Sequence, residues 1–176
     1  MNRGQLEHII RAAATIADDD EIVVIGSQSV LGQFPDAPAS LRVSMEADVY
    51  PRNHPERADL IDGSIGEGSP FHTTFGYYAQ GVGPETATLP ADWWSRAVAV
   101  RGAGTRGATG WTLEIHDLLI SKYVAGREKD RDFTREAAAA GLADRDTLLA
   151  RLRTTPLDEG LRPVIEGRIR VDFPRG

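Results

Sequence analysis

The chain has 176 residues and no cysteine, so it is long enough for one domain with its own core, and disulfides and thiolate metal sites are excluded. Its formal net charge of −6 argues against a constitutive, non-specific nucleic-acid binder, which normally has a basic surface. Because neither a secretory signal nor a long apolar segment is evident, we expect a cytoplasmic protein with no membrane association.

The spacing of apolar residues predicts helices that alternate with strands through the first two-thirds of the chain and dominate thereafter. In chain order we predict helix 5–17, strand 22–25, helix 28–33, strand 42–50, helix 54–65, strands 75–80, 97–101 and 111–113, helices 117–125, 130–140 and 147–152, and an ambiguous segment 160–173. This order predicts an α/β (α+β) fold: a small mixed β-sheet flanked by helices, with a helical C-terminal part. We expect the α/β core to span 1–115 and the helical part 116–176, packed as one compact domain.

Two carboxylates stand one residue apart in the second predicted strand, at Glu46 and Asp48. Alternate residues of a strand point to the same face, so these side chains are expected to project together. Like charges at that distance repel each other unless a cation lies between them. The pair therefore predicts a divalent-metal site, and its place about twenty residues after Gly26-Ser27 suggests metal-dependent phosphoryl transfer.

Only two of the twenty basic residues are lysines, Lys122 and Lys129. Their separation of seven residues would place both on nearly the same face of one helix. A compact ammonium group on a flexible stem suits contact with a phosphate oxygen. Both lysines are thus candidates for phosphate binding, and the alternative is that two lysines remain by chance.

Two sequence blocks resemble nucleotidyltransferase signatures. Residues 25–29 (Ile-Gly-Ser-Gln-Ser), followed by 46–49 (Glu-Ala-Asp-Val), resemble the strand, Gly-Ser turn and acidic-x-acidic strand of the polymerase-β-like superfamily. Residues 113–122 and 127–132 are similar to the second signature of the abortive-infection type nucleotidyltransferase toxins and their uncharacterised bacterial relatives. Together the blocks anchor most of residues 20–135.

The resemblance implies an NTP-binding site built on the first block. Gly26 would let the backbone approach a triphosphate without a Cβ atom in the way. Ser27 would donate a hydrogen bond to a phosphate oxygen, or would cap the helix that follows. Glu46 and Asp48 would hold Mg²⁺, which prefers hard oxygen ligands.

The second block would complete the catalytic residues. By the same resemblance, Lys122 contacts the triphosphate, and Asp130 serves as an orienting group or as a base. Arg127 and Asp132 lie in the same charged run, for which ion pairs on a helix surface are the simpler interpretation.

The sequence also departs from the pattern of the superfamily. Glu46 occupies a position where aspartate is commoner, and no third carboxylate is assigned on a strand. Glu114 is one candidate for it, although a helix cap is the expected role of this residue. Tyr77 and Tyr78 would either stack a nucleobase or belong to the core, which is more usual for aromatic residues in strands.

Other kinds of site find no support in the sequence. The four histidines lack metal-ligand spacing, the Gly-Ser-Gln-Ser run lacks the pattern of a hydrolase elbow, and the glycines between 102 and 110 are not followed by the residues of a phosphate-binding Walker loop.

Two classes of function follow. The first is a Mg²⁺-dependent enzyme that transfers a nucleoside monophosphate from an NTP to an RNA such as tRNA, a protein or a small molecule. The second is a catalytically degenerate nucleotidyltransferase-fold protein that binds nucleotide or a partner, for example as one member of a toxin-antitoxin pair. The two neighbouring carboxylates favour the enzyme, because such a pair is costly to keep in a mere scaffold.

Overall fold

The computed structural model describes residues 1–174, in which five β-strands and eight α-helices alternate with short 3₁₀ turns. The elements, in chain order, are α1 (Arg3–Ala17), β1 (Glu21–Ile25), α2 (Val30–Gln33), β2 (Glu46–Pro51), α3 (Ala58–Ile65), α4 (Pro70–Phe75), β3 (Tyr78–Gly81), β4 (Val98–Val100), β5 (Thr109–Thr112), α5 (Ile115–Ala125), α6 (Glu128–Ala139), α7 (Arg145–Arg153) and α8 (Leu161–Asp172). The last two residues of the predicted C-terminal part, 175 and 176, lie outside the described residues.

The strands form one mixed sheet in the order β3-β2-β1-β5-β4. The central strand β1 pairs antiparallel with β2 and parallel with β5, while β2 and β3 pair parallel and β4 and β5 pair antiparallel. Helices flank this sheet, and α5 to α8 follow it in the chain. The predicted fold class, a small mixed sheet with flanking helices and a helical C-terminal part, is therefore confirmed.

Helices α1 and α3 contact each other and pack on the sheet. The apolar side of α1 is fully buried at Leu6, Ile9 and Ile10. A Cβ atom added at Gly110 of β5 would lie 2.3 Å from the side chain of Ile10, so α1 packs closely on the face of the sheet to which residue 110 points. Because side chains alternate along a strand, the residues before and after Gly110 in β5 face the opposite side of the sheet.

Two predicted boundaries are wrong. The strand expected over 75–80 begins at Tyr78, because residues 70–75 form α4: Ser69 caps it by accepting a hydrogen bond from the amide of His72, and Gly76 ends it with a left-handed backbone. The strand expected to begin at residue 42 begins at Glu46, since residues 39–42 form a 3₁₀ turn that buries Leu41.

The ambiguous segment after residue 160 is α8, which buries Ile165 and Ile169. These two apolar side chains are one helical turn apart, as expected for a helix that packs on one side. In the part of the chain that the structure describes, no helix combines the length and the apolar composition needed to cross a membrane.

Candidate active site

A tight turn at the carboxyl end of β1 forms one side of a cleft. Gly26 has φ 75° and ψ −170°, a backbone conformation essentially restricted to glycine. A Cβ atom at this residue would lie 2.2 Å from Oδ2 of Asp48. The Ser27–Ser29 turn that follows is held against β1 by the Ser29 hydroxyl, which donates a hydrogen bond to the carbonyl of Val24 at 2.6 Å. Glycine is thus required here both by the backbone and by the approach of the Asp48 carboxylate.

The two carboxylates of β2 project from the same face of the sheet, as the strand periodicity predicts. Asp48 lies directly opposite Ile25, the last residue of β1, so its side chain meets the Gly26 turn. Burial, the hydrogen bond with Glu46 and the charge of Glu46 raise the pKa of Asp48 to about 7, while Lys122 and Lys129 act in the opposite direction. Without a cation, the two carboxyl groups therefore favour sharing a proton.

A buried ion pair lies across the cleft from these carboxylates. Nζ of Lys122 is 3.2 Å from Oδ1 of Asp130, and both side chains are at most 10% exposed. Nε of Arg127 donates to Oδ2 of Asp130 at 2.6 Å. Burial by itself raises the pKa of Asp130, but the hydrogen bonds from Arg127 and Lys122 outweigh it and lower the pKa. Asp130 therefore remains ionised and holds both cations.

The spacing of the two lysines predicted that both lie on one helix, but they lie on two. Gly126 has φ 64° and ends α5 after Ala125, and α6 begins at Glu128. The two lysines are therefore on separate helices that contact each other, and both line the cleft. The predicted helical face is wrong because a left-handed glycine interrupts it.

The six residues to which the two sequence blocks assign catalytic or binding roles line the same cleft, which has a volume of about 830 Å³. They are Gly26, Ser27, Glu46, Asp48, Lys122 and Asp130. The other lining residues include 40, 41, 43 and 44, residues 82 and 86–88, and residues of α5 and α6. A cleft of this size accommodates a ligand as large as a nucleotide.

The neighbouring strand β3 places two polar residues beside the carboxylate pair, a position that the sequence did not predict for either of them. In the parallel register Tyr78 lies beside Glu46 and Gln80 beside Asp48. The Tyr78 hydroxyl donates to Oε2 of Glu46 at 2.9 Å, and Gln80 lines the cleft. The sequence shows that Tyr78 and Gln80 alternate along a strand, but it does not show that this strand pairs with β2.

Several other candidates have structural roles. Glu114 caps α5 by accepting a hydrogen bond from the amide of His116, as expected for a cap. Tyr77 is 7% exposed and its hydroxyl pairs with Nδ1 of His8, which confirms its place in the core. Asp132 forms an exposed ion pair with Arg135, although it also borders the cleft.

Within residues 1–174 no cluster of three or more histidine, cysteine or carboxylate side chains is arranged to hold a metal ion. The cleft does contain two carboxylates side by side on β2, those of Glu46 and Asp48. This number suits Mg²⁺, which is usually bound by one or two carboxylates with waters and substrate phosphates in the remaining positions.

The class suggested by the sequence blocks is that of the nucleotidyltransferases. The chain belongs to the family described as nucleotidyltransferase of unknown function (DUF6036), whose model matches residues 4–159. This match confirms the resemblance to nucleotidyltransferases. No curated protein and no solved structure shows a significant match to the chain.

Proposed function

We propose that this protein transfers a nucleoside monophosphate from an NTP to an acceptor hydroxyl, in a reaction that requires Mg²⁺. The observation that carries the proposal is the convergence of Glu46, Asp48 and Lys122 on one cleft beside the Gly26 turn. The acceptor would be an RNA, including tRNA, a protein or a small molecule. Membership of a nucleotidyltransferase family supports the NTP as donor.

The residues present fit a magnesium ion. Glu46 and Asp48 supply hard oxygen ligands on one face of β2, and the pKa of Asp48 is raised because this carboxyl is buried beside another. A bound divalent cation removes that repulsion and favours the ionised form of both groups. When bound, Mg²⁺ would supply a positive charge that neutralises the phosphates of the NTP.

The chain itself would bind and orient the triphosphate. At Gly26 the lack of a side chain allows a phosphate to approach the backbone, and Ser27 offers a hydroxyl at the same edge of the cleft. Lys122 would contact a phosphate oxygen while Asp130 holds its ammonium group in place. The side chain of Arg127, which also lines the cleft, is 59% exposed and would offer a second cationic contact for the phosphates.

Asp130 serves in this proposal as an orienting group. A general base works best when its pKa lies near the working pH. The pKa of Asp130 is lowered by its two cationic partners, so this carboxylate is a weak base but stays ionised and can hold the Lys122 ammonium group in place. Asp48, whose pKa is raised, is the carboxyl whose protonation the bound cation would control.

A label-transfer experiment tests the proposal. The purified protein is incubated with Mg²⁺ and each NTP labelled either at the α-phosphate or at the γ-phosphate, together with total RNA or a protein extract. We expect acceptor labelling from the α-label only, release of pyrophosphate, and loss of both in Asp48→Asn. Asp59→Asn, an exposed carboxylate on α3, is the matched control and should retain activity. Transfer of the γ-label, or equal activity of Asp48→Asn, would contradict the proposal.

A second candidate is a catalytically degenerate protein that binds nucleotide or a partner. It is favoured by the presence of the neutral Gln80 beside Asp48, where a third carboxylate would be close enough to join the pair. The resemblance to abortive-infection toxins and their bacterial relatives suggests one member of a cytoplasmic toxin-antitoxin pair. Mg²⁺-dependent NTP binding without transfer to any acceptor, together with a stable co-purifying partner protein, would support this alternative over the enzyme.

A further inference from the structure

Tyr78 and Glu46 begin adjacent parallel strands and are direct neighbours in the register. The Tyr78 hydroxyl donates a hydrogen bond to Oε2 of Glu46 at 2.9 Å. The phenol ring packs against the imidazole of His72 in α4, with 4.6 Å between the ring centroids. The hydroxyl is therefore held in place by the pairing of β3 and by this ring contact.

We propose that Tyr78 is a positioning residue for the metal site, which fixes one oxygen of Glu46 so that the other is presented to the cation. This inference rests on the proposed function, because it assumes that Glu46 binds the metal. A glutamate has one more rotatable side-chain bond than an aspartate, so its carboxylate samples more positions unless a partner restrains it. The hydrogen bond from Tyr78 supplies that restraint at the position where glutamate departs from the commoner aspartate.

A tyrosine also suits this role electrostatically. The phenol is neutral and carries an O–H group that donates a hydrogen bond to Oε2 of Glu46. It thus orders a carboxylate without adding a third negative charge to the pair formed with Asp48. Hydrogen-bond partners that orient metal ligands in this way typically contribute about 10–100-fold to metal affinity.

The neighbouring residue offers a matched control for the same chemical change. The Tyr77 hydroxyl pairs with His8 at 2.7 Å, away from the two carboxylates. Removing the hydroxyl at either position leaves the ring and its packing in place. Only the change at position 78 is expected to alter the metal site.

The experiment measures the affinity for Mn²⁺ alone, by electron paramagnetic resonance of the free ion, and thereby does not depend on catalysis. We expect Tyr78→Phe to weaken binding about 10-fold, while Tyr77→Phe matches the wild type. In a Glu46→Asp background the shorter carboxylate no longer reaches the hydroxyl, so adding Tyr78→Phe should have no further effect. Thermal unfolding of each variant checks that the fold is retained.

The outcomes separate this inference from the proposed function. Equal Mn²⁺ affinity of Tyr78→Phe and wild type, with loss of binding in Asp48→Asn, would overturn the role of Tyr78 and leave the metal site intact. An equal loss on adding Tyr78→Phe to wild type and to Glu46→Asp would also overturn it, because Tyr78 would then act independently of Glu46. Absence of Mn²⁺ binding by the wild type would contradict the metal site itself and with it this inference.

Discussion

Substituting Gly26 by alanine tests the geometry that brings the Gly-Ser turn against the carboxylate of Asp48. The backbone at this residue lies in a region that side chains rarely adopt, which costs about 1–3 kcal/mol for a residue other than glycine. The new methyl group would also lie 2.2 Å from Oδ2 of Asp48, so the carboxylate must move. We therefore expect Gly26→Ala to lose at least roughly 1–3 kcal/mol, or a melting temperature lower by roughly 2–12 °C for a chain of this size.

Urea unfolding and Mn²⁺ binding, measured on the same preparations, give the assay. Gly63→Ala in α3 is the matched control, because its Cβ atom meets nothing within 4 Å; it should stabilise the protein by about 0.5–1 kcal/mol. Combining Gly26→Ala with Asp48→Ala should recover the part of the loss that comes from the clash and leave the backbone part. A Gly26→Ala protein as stable as the wild type, with unchanged Mn²⁺ affinity, would refute the reasoning.

Three other predictions concern charged residues. The pKa of Asp48 is raised from its ordinary 3.8 to about 7 in the folded state. Protonation of this carboxyl therefore contributes fully to the stability of the metal-free protein below about pH 4, and the contribution, on the order of a few kcal/mol, is lost as the pH rises to 7. Asp48→Asn should reduce this pH dependence in urea unfolding. Lys122→Met should weaken NTP binding roughly 10–100-fold by calorimetry, since a charged hydrogen bond to phosphate is lost. Burial lowers the pKa of His116, but the contacts with Glu114 and Asp144 outweigh burial and raise the pKa. These ion pairs should therefore contribute roughly 1 kcal/mol to the free energy of unfolding below pH 6.5, and this contribution is lost at higher pH. His116→Gln should remove this pH dependence.

The fold class and the two carboxylates of β2 could be predicted from the sequence because both depend on local patterns. Strand periodicity places Glu46 and Asp48 on one face, and an apolar run that ends in Gly26 indicates a strand followed by a turn. Ordered sequence blocks then connect these residues with Lys122, which is distant in the chain. The division of the chain at residue 115 stays a prediction.

The errors have two physical origins. Local signals were misread at α4, where Ser69 before Pro70 is a helix start and Gly76 a helix stop, although the aromatic residues resemble a strand. The contact between Tyr78 and Glu46 could not be predicted from the sequence, because it depends on which strands pair and in which register. Spacing within a single sequence does not encode that register.

The most direct test of the account is a calorimetric titration of the wild type and Asp48→Asn with each NTP, in the presence and absence of Mg²⁺. The account predicts that at least one NTP binds to the wild type only when Mg²⁺ is present, that Asp48→Asn loses this binding and that the exposed Asp59→Asn retains it. Failure of every NTP to bind in the presence of Mg²⁺, or equal binding by Asp48→Asn, would contradict the claim that this cleft is a metal-dependent nucleotide site.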